Sequence, residues 1–281
     1  MRTETFETPG SVRFNIRVGA GEIRLETADV TETTVRLESL RNSERVVENA
    51  RVELRQRGEG HEVIVDVRDR GRGRGNDVLV EIRGPNGASV ETKSGSADVE
   101  GNGRFGTVEV ETGSGDVQFS EIADDAKINA ASGDVQLASI GGEARINSAS
   151  GDIQVGSIGG DAKVNSASGD VQIREAGGSL NVNSASGDVL IRDAGSSVSV
   201  NTASGDQTIG AVSQGSVALK SASGDLKVGI REGSTLWVDA RSRSGEVSSE
   251  LPVSDLPPEG GAPHVELRAN TMSGDISLVR A

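Results

Sequence analysis

The sequence predicts an all-β protein, a β-solenoid made of a flattened pair of parallel sheets with 18 residues per coil. Three observations predict this fold. The tripeptide Ser-Gly-Asp begins at Ser114 and recurs at steps of 18 residues through Ser204, in six consecutive copies. Apolar residues alternate with polar ones between the copies. Glycine is abundant, at 38 of 281 residues, whereas aromatic residues make up 2%. Stacked repeats bury a thin aliphatic core that no single repeat could bury alone.

Each coil is predicted to contain two nonapeptides, and each nonapeptide is one short strand followed by a tight corner. In residues 135–140 and 144–149 the apolar residues stand first, third and sixth. The first and third residues of a strand share one face, and glycine permits the sharp corner that follows. We therefore expect two core columns: Phe119, Leu137, Val155, Ile173, Ile191 and Ile209, facing Ile128, Ile146, Val164, Val182, Val200 and Leu219.

Three further columns are read from the same register. Stacked amides can donate and accept along the axis, as Asn and Gln ladders do in cross-β structures, so we expect amide ladders on the outer faces. The sixth-position alanines suit a sharp bend because their side chains are small. The columns are Gln118, Gln136, Gln154 and Gln172; Asn129, Asn147, Asn165, Asn183 and Asn201; and Ala131, Ala149, Ala167, Ala185, Ala203 and Ala222.

Two regions depart from the repeat. We predict that residues 1–90 form an N-terminal β-rich cap and that residues 91–281 form the solenoid. The last coils are irregular because the steps between repeats lengthen, and 251–263 is a Pro/Gly loop. Trp237 falls in a strand near this end, where we expect it to seal the core. The cap contains a short helix over 43–49 and alternating segments at 12–18, 22–26, 34–38, 51–55, 62–67 and 77–82.

Composition and charge exclude several classes of protein. The absence of Cys excludes disulfides, thiolate metal sites and cysteine nucleophiles. No apolar stretch is long enough for a membrane helix, and the first residues lack the apolar segment of a signal peptide, so we expect no membrane span and a cytoplasmic location. The net charge is −14, of which −13 follows residue 93. Such an acidic body repels phosphate backbones, so nucleic acid is not an expected partner.

Motifs that carry chemistry are scarce. Arg-Gly-Arg-Gly-Arg-Gly at 70–75 is typical of a charged hairpin loop between two strands, although a short Arg-Gly tract can also contact RNA. His61 and His264 lie in separate strand-like segments with no motif around either. We therefore expect no catalytic residue, no cofactor and no enzymatic activity.

The repeated Asp is the strongest candidate for a site. Stacked carboxylates would lie about 5 Å apart and repel by about 1 kcal/mol even in water. Backbone N–H donors and Ser hydroxyls can offset this repulsion, and so could a cation such as Ca²⁺. The spacing differs from that of calcium-binding nonapeptide rolls, so we expect no metal site. The alternative is a cation ladder on Asp116, Asp134, Asp152, Asp170, Asp188, Asp206 and Asp225.

The Ser-Gly-Asp repeats, followed by Val or Ile, resemble the bacterial putative-adhesin β-strand-repeat family, a group of unknown function also called DUF4097. Residues 243–247, Arg-Ser-Gly-Glu-Val, and 272–276, Met-Ser-Gly-Asp-Ile, carry the same resemblance near the C-terminus. The resemblance covers nearly the whole chain. It implies a β-solenoid and no catalytic residue.

These observations favour a non-enzymatic scaffold that presents acidic corners and amide ladders to a protein partner. Regularity through all coils leaves no polar cluster where a pocket could lie. The ends of a solenoid also offer surfaces for self-association. The alternatives are a ligand-binding or Ca²⁺-binding β-roll, and a carbohydrate-active protein that uses the irregular C-terminal coils, where longer loops emerge.

Overall fold

A computed structural model of the protein describes residues 1–41, 44–67, 77–251 and 264–281. The chain divides into two compact units, Met1–Gly142 and Glu143–Ala281. Each unit is a β-solenoid whose strands stack mostly in parallel, so the predicted fold class is confirmed. The Arg-Gly tract at 70–75 and residues 252–263 of the predicted loop lie outside the described residues.

The first unit starts with strands of mixed direction and continues as regular coils. The predicted helix over 43–49 is seen as one short helix. The elements in chain order are β1 (Arg2–Glu7), β2 (Val12–Ala28), β3 (Glu32–Arg41), α1 (Glu44–Glu48), β4 (Arg51–Arg57), β5 (Gly60–Val67), β6 (Asp77–Pro85), β7 (Ser89–Phe105), β8 (Val108–Ser114), β9 (Val117–Ile122), β10 (Ala126–Ser132) and β11 (Val135–Ile140).

Strand β2 is a full coil in itself, because it bends between the two sheets. Segments 12–18 and 22–26, predicted separately, are its two halves. On one side β2 pairs in parallel with β5 and β6, and on the other with β7. The bend lies at Gly21, where φ is +123° and a Cβ would lie 2.1 Å from the carbonyl oxygen of Val78. Glycine is required there.

Antiparallel strands finish one end of the first unit. Strand β3 pairs with β6, β1 pairs with β3, and β4 pairs with β5, all in antiparallel fashion. On the other side of β2 the stack runs in chain order, from β7 to β8 and β9 and then to β10 and β11. The predicted division into a cap at 1–90 and a solenoid at 91–281 is a finer statement and stays a prediction.

The second unit repeats one coil with little change. Its strands are β12 (Ala144–Ser148), β13 (Ile153–Ile158), β14 (Ala162–Ser168), β15 (Val171–Ala176), β16 (Leu180–Ser186), β17 (Val189–Ala194), β18 (Val198–Ser204), β19 (Gln207–Val212), β20 (Gly215–Ser223), β21 (Leu226–Ile230), β22 (Thr235–Ser242), β23 (Val247–Ser249), β24 (His264–Ser273) and β25 (Ile276–Arg280).

Even-numbered strands of the second unit stack in one sheet and odd-numbered strands in the other, 18 residues apart in register. The end of this stack is out of chain order. Strand β24 lies between β20 and β22, and β25 lies between β21 and β23. The last segment of the chain is thus the second-to-last coil, and β22 with β23 forms the outermost one.

Both predicted core columns are confirmed, since all twelve of their side chains are at most 3% exposed. The sixth-position pattern holds for the first nonapeptide, as at Ile140, but is wrong for the second. There Ala149 and its equivalents are exposed, and the fifth residue, such as Ser148, is buried instead. Strand alternation simply continues from the first and third positions to the fifth. The buried Ser148 hydroxyl donates to the carbonyl oxygen of Ser150 at 3.0 Å, which offsets its burial.

Candidate functional site

The repeated Asp forms a hydrogen-bonded ladder along one corner of each unit. In the first unit Asp116 N–H donates to Oδ1 of Asp98 at 2.9 Å, and Asp134 N–H donates to Oδ1 of Asp116 at 2.9 Å. The second unit repeats this bond from coil to coil at 2.8–2.9 Å, through Asp152, Asp170, Asp188, Asp206, Asp225, Asp275 and the N–H of Glu246. Backbone donors therefore stabilise the stacked carboxylates.

The geometry of this corner accounts for the Ser-Gly-Asp motif. The Gly before each Asp has a positive φ, for example +108° at Gly169 and +118° at Gly205. This conformation turns the chain so that the next N–H points along the axis to the carboxylate of the preceding coil. Of the residues that the structure describes, no cluster of three or more Asp, Glu or His side chains is arranged to hold a metal ion. Whether the ladder Asp116–Asp225 takes a cation remains a prediction to test.

The predicted asparagine ladder is present on an outer face of the second unit. Asn165 Nδ2 donates to Oδ1 of Asn147 at 2.7 Å, Asn183 donates to Asn165 at 3.0 Å, and Asn201 donates to Asn183 at 3.1 Å. The column is one hydrogen-bonded chain of four amides. The glutamine column also points outwards, since Gln118, Gln136, Gln154 and Gln172 are all exposed. Such side chains are held in place before any partner arrives.

Cross-strand ion pairs cover the outer face near the end of the first unit. Glu81 of β6 lies 3.9 Å from Arg24 of β2 and 3.3 Å from Arg36 of β3, and Arg83 lies 3.5 Å from Glu26. A groove of about 770 Å³ runs over this row. Acidic and basic side chains are matched along the groove, so it has little net charge with which to attract an ionic ligand. Alternating charges in the cap strands could have predicted this row.

A second group of charges in the first unit perturbs one carboxyl. The Lys127 ammonium donates a hydrogen bond of 2.7 Å to Glu109. This bond lowers the pKa of Glu109 below its ordinary value, against the opposing effect of burial, and the charges of Lys127, Lys93 and Arg13 lower it further. The pair joins neighbouring strands β8 and β10, so it links two coils and has no catalytic partner arranged around it.

One polar cluster breaks the apolar core of the second unit, contrary to the expectation of full regularity. Gln207 occupies a column that holds Val189 in the coil before and Leu226 in the coil after, and it is fully buried. Its Nε2 donates to Thr202 Oγ1 and to the carbonyl oxygen of Lys220, both at 2.8 Å. Its Oε1 accepts no hydrogen bond from the described residues. The polar residue in an apolar column was the sequence signal.

The prediction that Trp237 seals the core is wrong. Trp237 pairs with Glu266 of β24, whereas the core residues of β24 pair with Leu236 and Val238. Alternation along β22 therefore places the indole on the outer face, where it is half-buried and lies 5.8 Å from the Arg268 guanidinium. An arginine over an aromatic face is a cation–π contact, so the outer face of β24 stabilises this ring.

The comparison with protein families agrees with the repeat. The Toastrack DUF4097 family model matches two overlapping stretches, residues 13–211 and 177–279. The chain belongs to the Toastrack DUF4097 family. The resemblance stated from the Ser-Gly-Asp repeats is thus confirmed. None of the curated proteins compared with this Toastrack chain matches it.

Several solved structures are similar to this Toastrack chain over nearly its whole length. A putative adhesin from Bacteroides fragilis is 12% identical, with a TM-score of 0.43, and the match covers 99% of this chain and 96% of that one. A putative lipid binding protein from Parabacteroides distasonis is 11% identical, with a TM-score of 0.42 and the same coverage. A putative cell adhesion protein from Clostridium sporogenes is 10% identical, with a TM-score of 0.27, covering 100% and 99%.

No helix in the described part of this Toastrack chain is long and apolar enough to cross a membrane. The only helix there, α1, has five residues. His61 and His264, the two candidate bases, lie at or near the starts of β5 and β24. His264 Nδ1 lies 3.4 Å from Thr235 Oγ1.

Proposed function

We propose that this protein is a non-enzymatic scaffold that binds a protein partner through the acidic corner and the asparagine ladder of its second unit. The observation that carries the proposal is the coil-to-coil bonding of the surface side chains. A hydrogen bond fixes each Asp and Asn of these columns to the next coil. Binding to such a surface loses little side-chain entropy, which is a main cost of association.

Charge indicates the kind of partner. The carboxylates of Asp188, Asp206 and Asp225 lie on one corner and are exposed. Their like charges are brought close together by the stack, and a basic protein surface relieves the remaining repulsion as it binds. The partner we expect is therefore a protein with several Lys or Arg side chains in a row. Charge pairing at an exposed rim acts mainly on the rate of association and is sensitive to salt.

The test separates charge from fold. In Asp170→Asn/Asp188→Asn/Asp206→Asn the amide oxygen can still accept the N–H of the next coil, while three charges are removed. The matched control is Glu175→Gln/Glu232→Gln/Glu250→Gln, which removes three charges of the same unit away from the corner. Both variants and the unchanged chain are used as bait in extracts of the native cell, and bound proteins are identified and their affinities measured against salt.

We expect the corner variant to lose a basic partner that the control variant retains. The affinity of that partner should fall as salt rises. A partner retained equally by both variants, or the absence of any specific partner, would contradict the proposal. Hydrolysis or transfer activity towards a polysaccharide would instead favour the carbohydrate-active alternative.

A further inference from the structure

The core side chains of the outermost coil in the second unit are only partly covered. Val265 and Leu267 of β24 are fully buried, but their neighbours on β22, Leu236 and Val238, are half-buried. Val247 of β23 is 45% exposed. Among the described residues β22 pairs with β24 alone. One backbone edge of β22 and part of the apolar core beside it are thus accessible.

Strand β22 lacks the devices that usually protect an edge strand. Such strands carry proline, a bulge or a charge that points inwards. The eight residues of β22 pair with β24 without a register shift, and the residues on its core side are Leu236, Val238 and Ala240. Its two charges, Asp239 and Arg241, lie on the outer face and pair with each other at 3.0 Å. Strand β4 of the first unit, by contrast, is charged at four of its seven positions.

We propose that β22 pairs with β22 of a second copy of this chain, antiparallel and about a two-fold axis beside Val238. In this register Val238 opposes its own equivalent, and Leu236 opposes Ala240 twice. Three apolar pairs then continue the core from one copy into the other. On the outer face Trp237 opposes Asp239 of the second copy. Because Arg268 lies over Trp237, the incoming carboxylate meets a cation. Cross-strand pairs of these kinds stabilise antiparallel sheets.

A second copy fits this edge better than other occupants do. The whole chain carries a charge of −14, which makes two copies repel, but residues 235–251 carry only −1. The edge is its own complement in shape and in apolar pattern. A two-fold contact uses the same edge of both copies, so it closes at a dimer and does not propagate into fibres.

The first test is the molar mass of the full chain in solution, measured by light scattering during size-exclusion chromatography. We expect a dimer. Val238→Lys places a charge on the core side of the edge and should give a folded monomer, as judged by circular dichroism. The control is Leu40→Lys, which changes a residue of the first unit that is 44% exposed, and it should remain a dimer. A monomeric unchanged chain, or a larger assembly that grows with concentration, would overturn the proposal.

The second test does not depend on how Val238→Lys folds. The chain has no Cys, so Val238→Cys introduces the only thiol. Next to the two-fold axis that thiol lies within disulfide range of its equivalent. Oxidation should therefore convert Val238→Cys to a covalent dimer, while Leu40→Cys remains a single chain on a denaturing gel. Equal cross-linking of the two variants, or none of Val238→Cys, would overturn the pairing.

Discussion

Asp188 Oδ1 accepts a hydrogen bond of 2.8 Å from the backbone N–H of Asp206, one coil further along the second unit. The bond explains how a column of like charges is tolerated. Each carboxylate gains a charge-assisted bond, which is stronger than a neutral one, and each corner N–H gains an acceptor. The Asp of the repeated motif therefore connects coils, whatever else the corner binds.

The first prediction concerns the acceptor at Asp188. Asp188→Ala leaves the N–H of Asp206 without its acceptor and should lower the free energy of unfolding by about 1–2 kcal/mol. Asp188→Asn retains an oxygen acceptor and removes one charge from the column, so it should stay within about 0.5 kcal/mol of the unchanged chain. Denaturant unfolding measures both. Equal losses would show that the charge, and not the hydrogen bond, is what matters.

The second prediction concerns calcium. One oxygen of Asp116, Asp170 and Asp188 already accepts a backbone N–H, and Ca²⁺ prefers six to eight oxygen ligands. We therefore expect no heat in a calorimetric titration with Ca²⁺ and no rise in melting temperature, with Mg²⁺ as the comparison. A rise that is specific to Ca²⁺ and is lost in Asp188→Asn would establish the cation ladder instead.

The third prediction concerns the corner glycine. Gly169 has a φ of +108°, and a Cβ there would lie 2.3 Å from the carbonyl oxygen of Gly151. Gly169→Val and Gly169→Ala should both lower the free energy of unfolding by at least about 2 kcal/mol, since strain and the clash act together. The control is Gly19→Ala, where the added Cβ meets no atom within 4 Å. Melting temperatures of Gly169→Ala and Gly19→Ala that agree would contradict this account.

Sequence predicts the repeating part of this fold because one column of residues has one environment. Phe119 and Ile209 are 18-residue equivalents, and both are buried as expected. The order of coils at the ends was not predictable in this way. Strand β2 lies between coils formed by later residues, and β24 lies between β20 and β22. Both insertions depend on which edges meet in three dimensions, and periodicity along the chain does not contain that information.

Surface columns were predicted better than individual residues within them. The Asn165–Asn183 bond follows from the register alone. Trp237 was misplaced because its large apolar ring outweighed its parity in the strand, which puts it on the outer face. Ala149 was misplaced because an apolar residue was read as an inward one, although Ser148 has the inward parity.

The fourth prediction concerns pH. The hydrogen bond from Lys127 lowers the pKa of Glu109 in the folded protein. The resulting stabilisation is present above the unfolded pKa, about 4.3 for Glu, and is lost as the pH falls through the lower folded value. Lys127→Met should therefore reduce the free energy of unfolding at neutral pH, and its difference from the unchanged chain should shrink in acid. Lys163→Met, at the same position of a later repeat, is the control and should show no such shrinkage.

The fifth prediction concerns the polar residue in the core. Gln207 is fully buried, with two hydrogen bonds from Nε2 and an Oε1 that accepts none from the described residues. A buried acceptor without a partner costs about 1–3 kcal/mol, whereas an apolar side chain of similar shape costs little. Gln207→Leu, which copies Leu226 in the next coil, should therefore raise the melting temperature by a few degrees.

Gln207→Glu is the matched comparison, because it keeps the shape of the side chain and replaces the donor amide with an acid. At neutral pH it should lower the melting temperature markedly, since a buried charge is costly, and acid should restore part of the loss by protonating the carboxyl. Thermal unfolding of the three chains at two pH values measures these shifts. If Gln207→Leu melts below the unchanged chain, the bonds to Thr202 and Lys220 outweigh the unpaired oxygen, and the polar cluster stabilises the second unit.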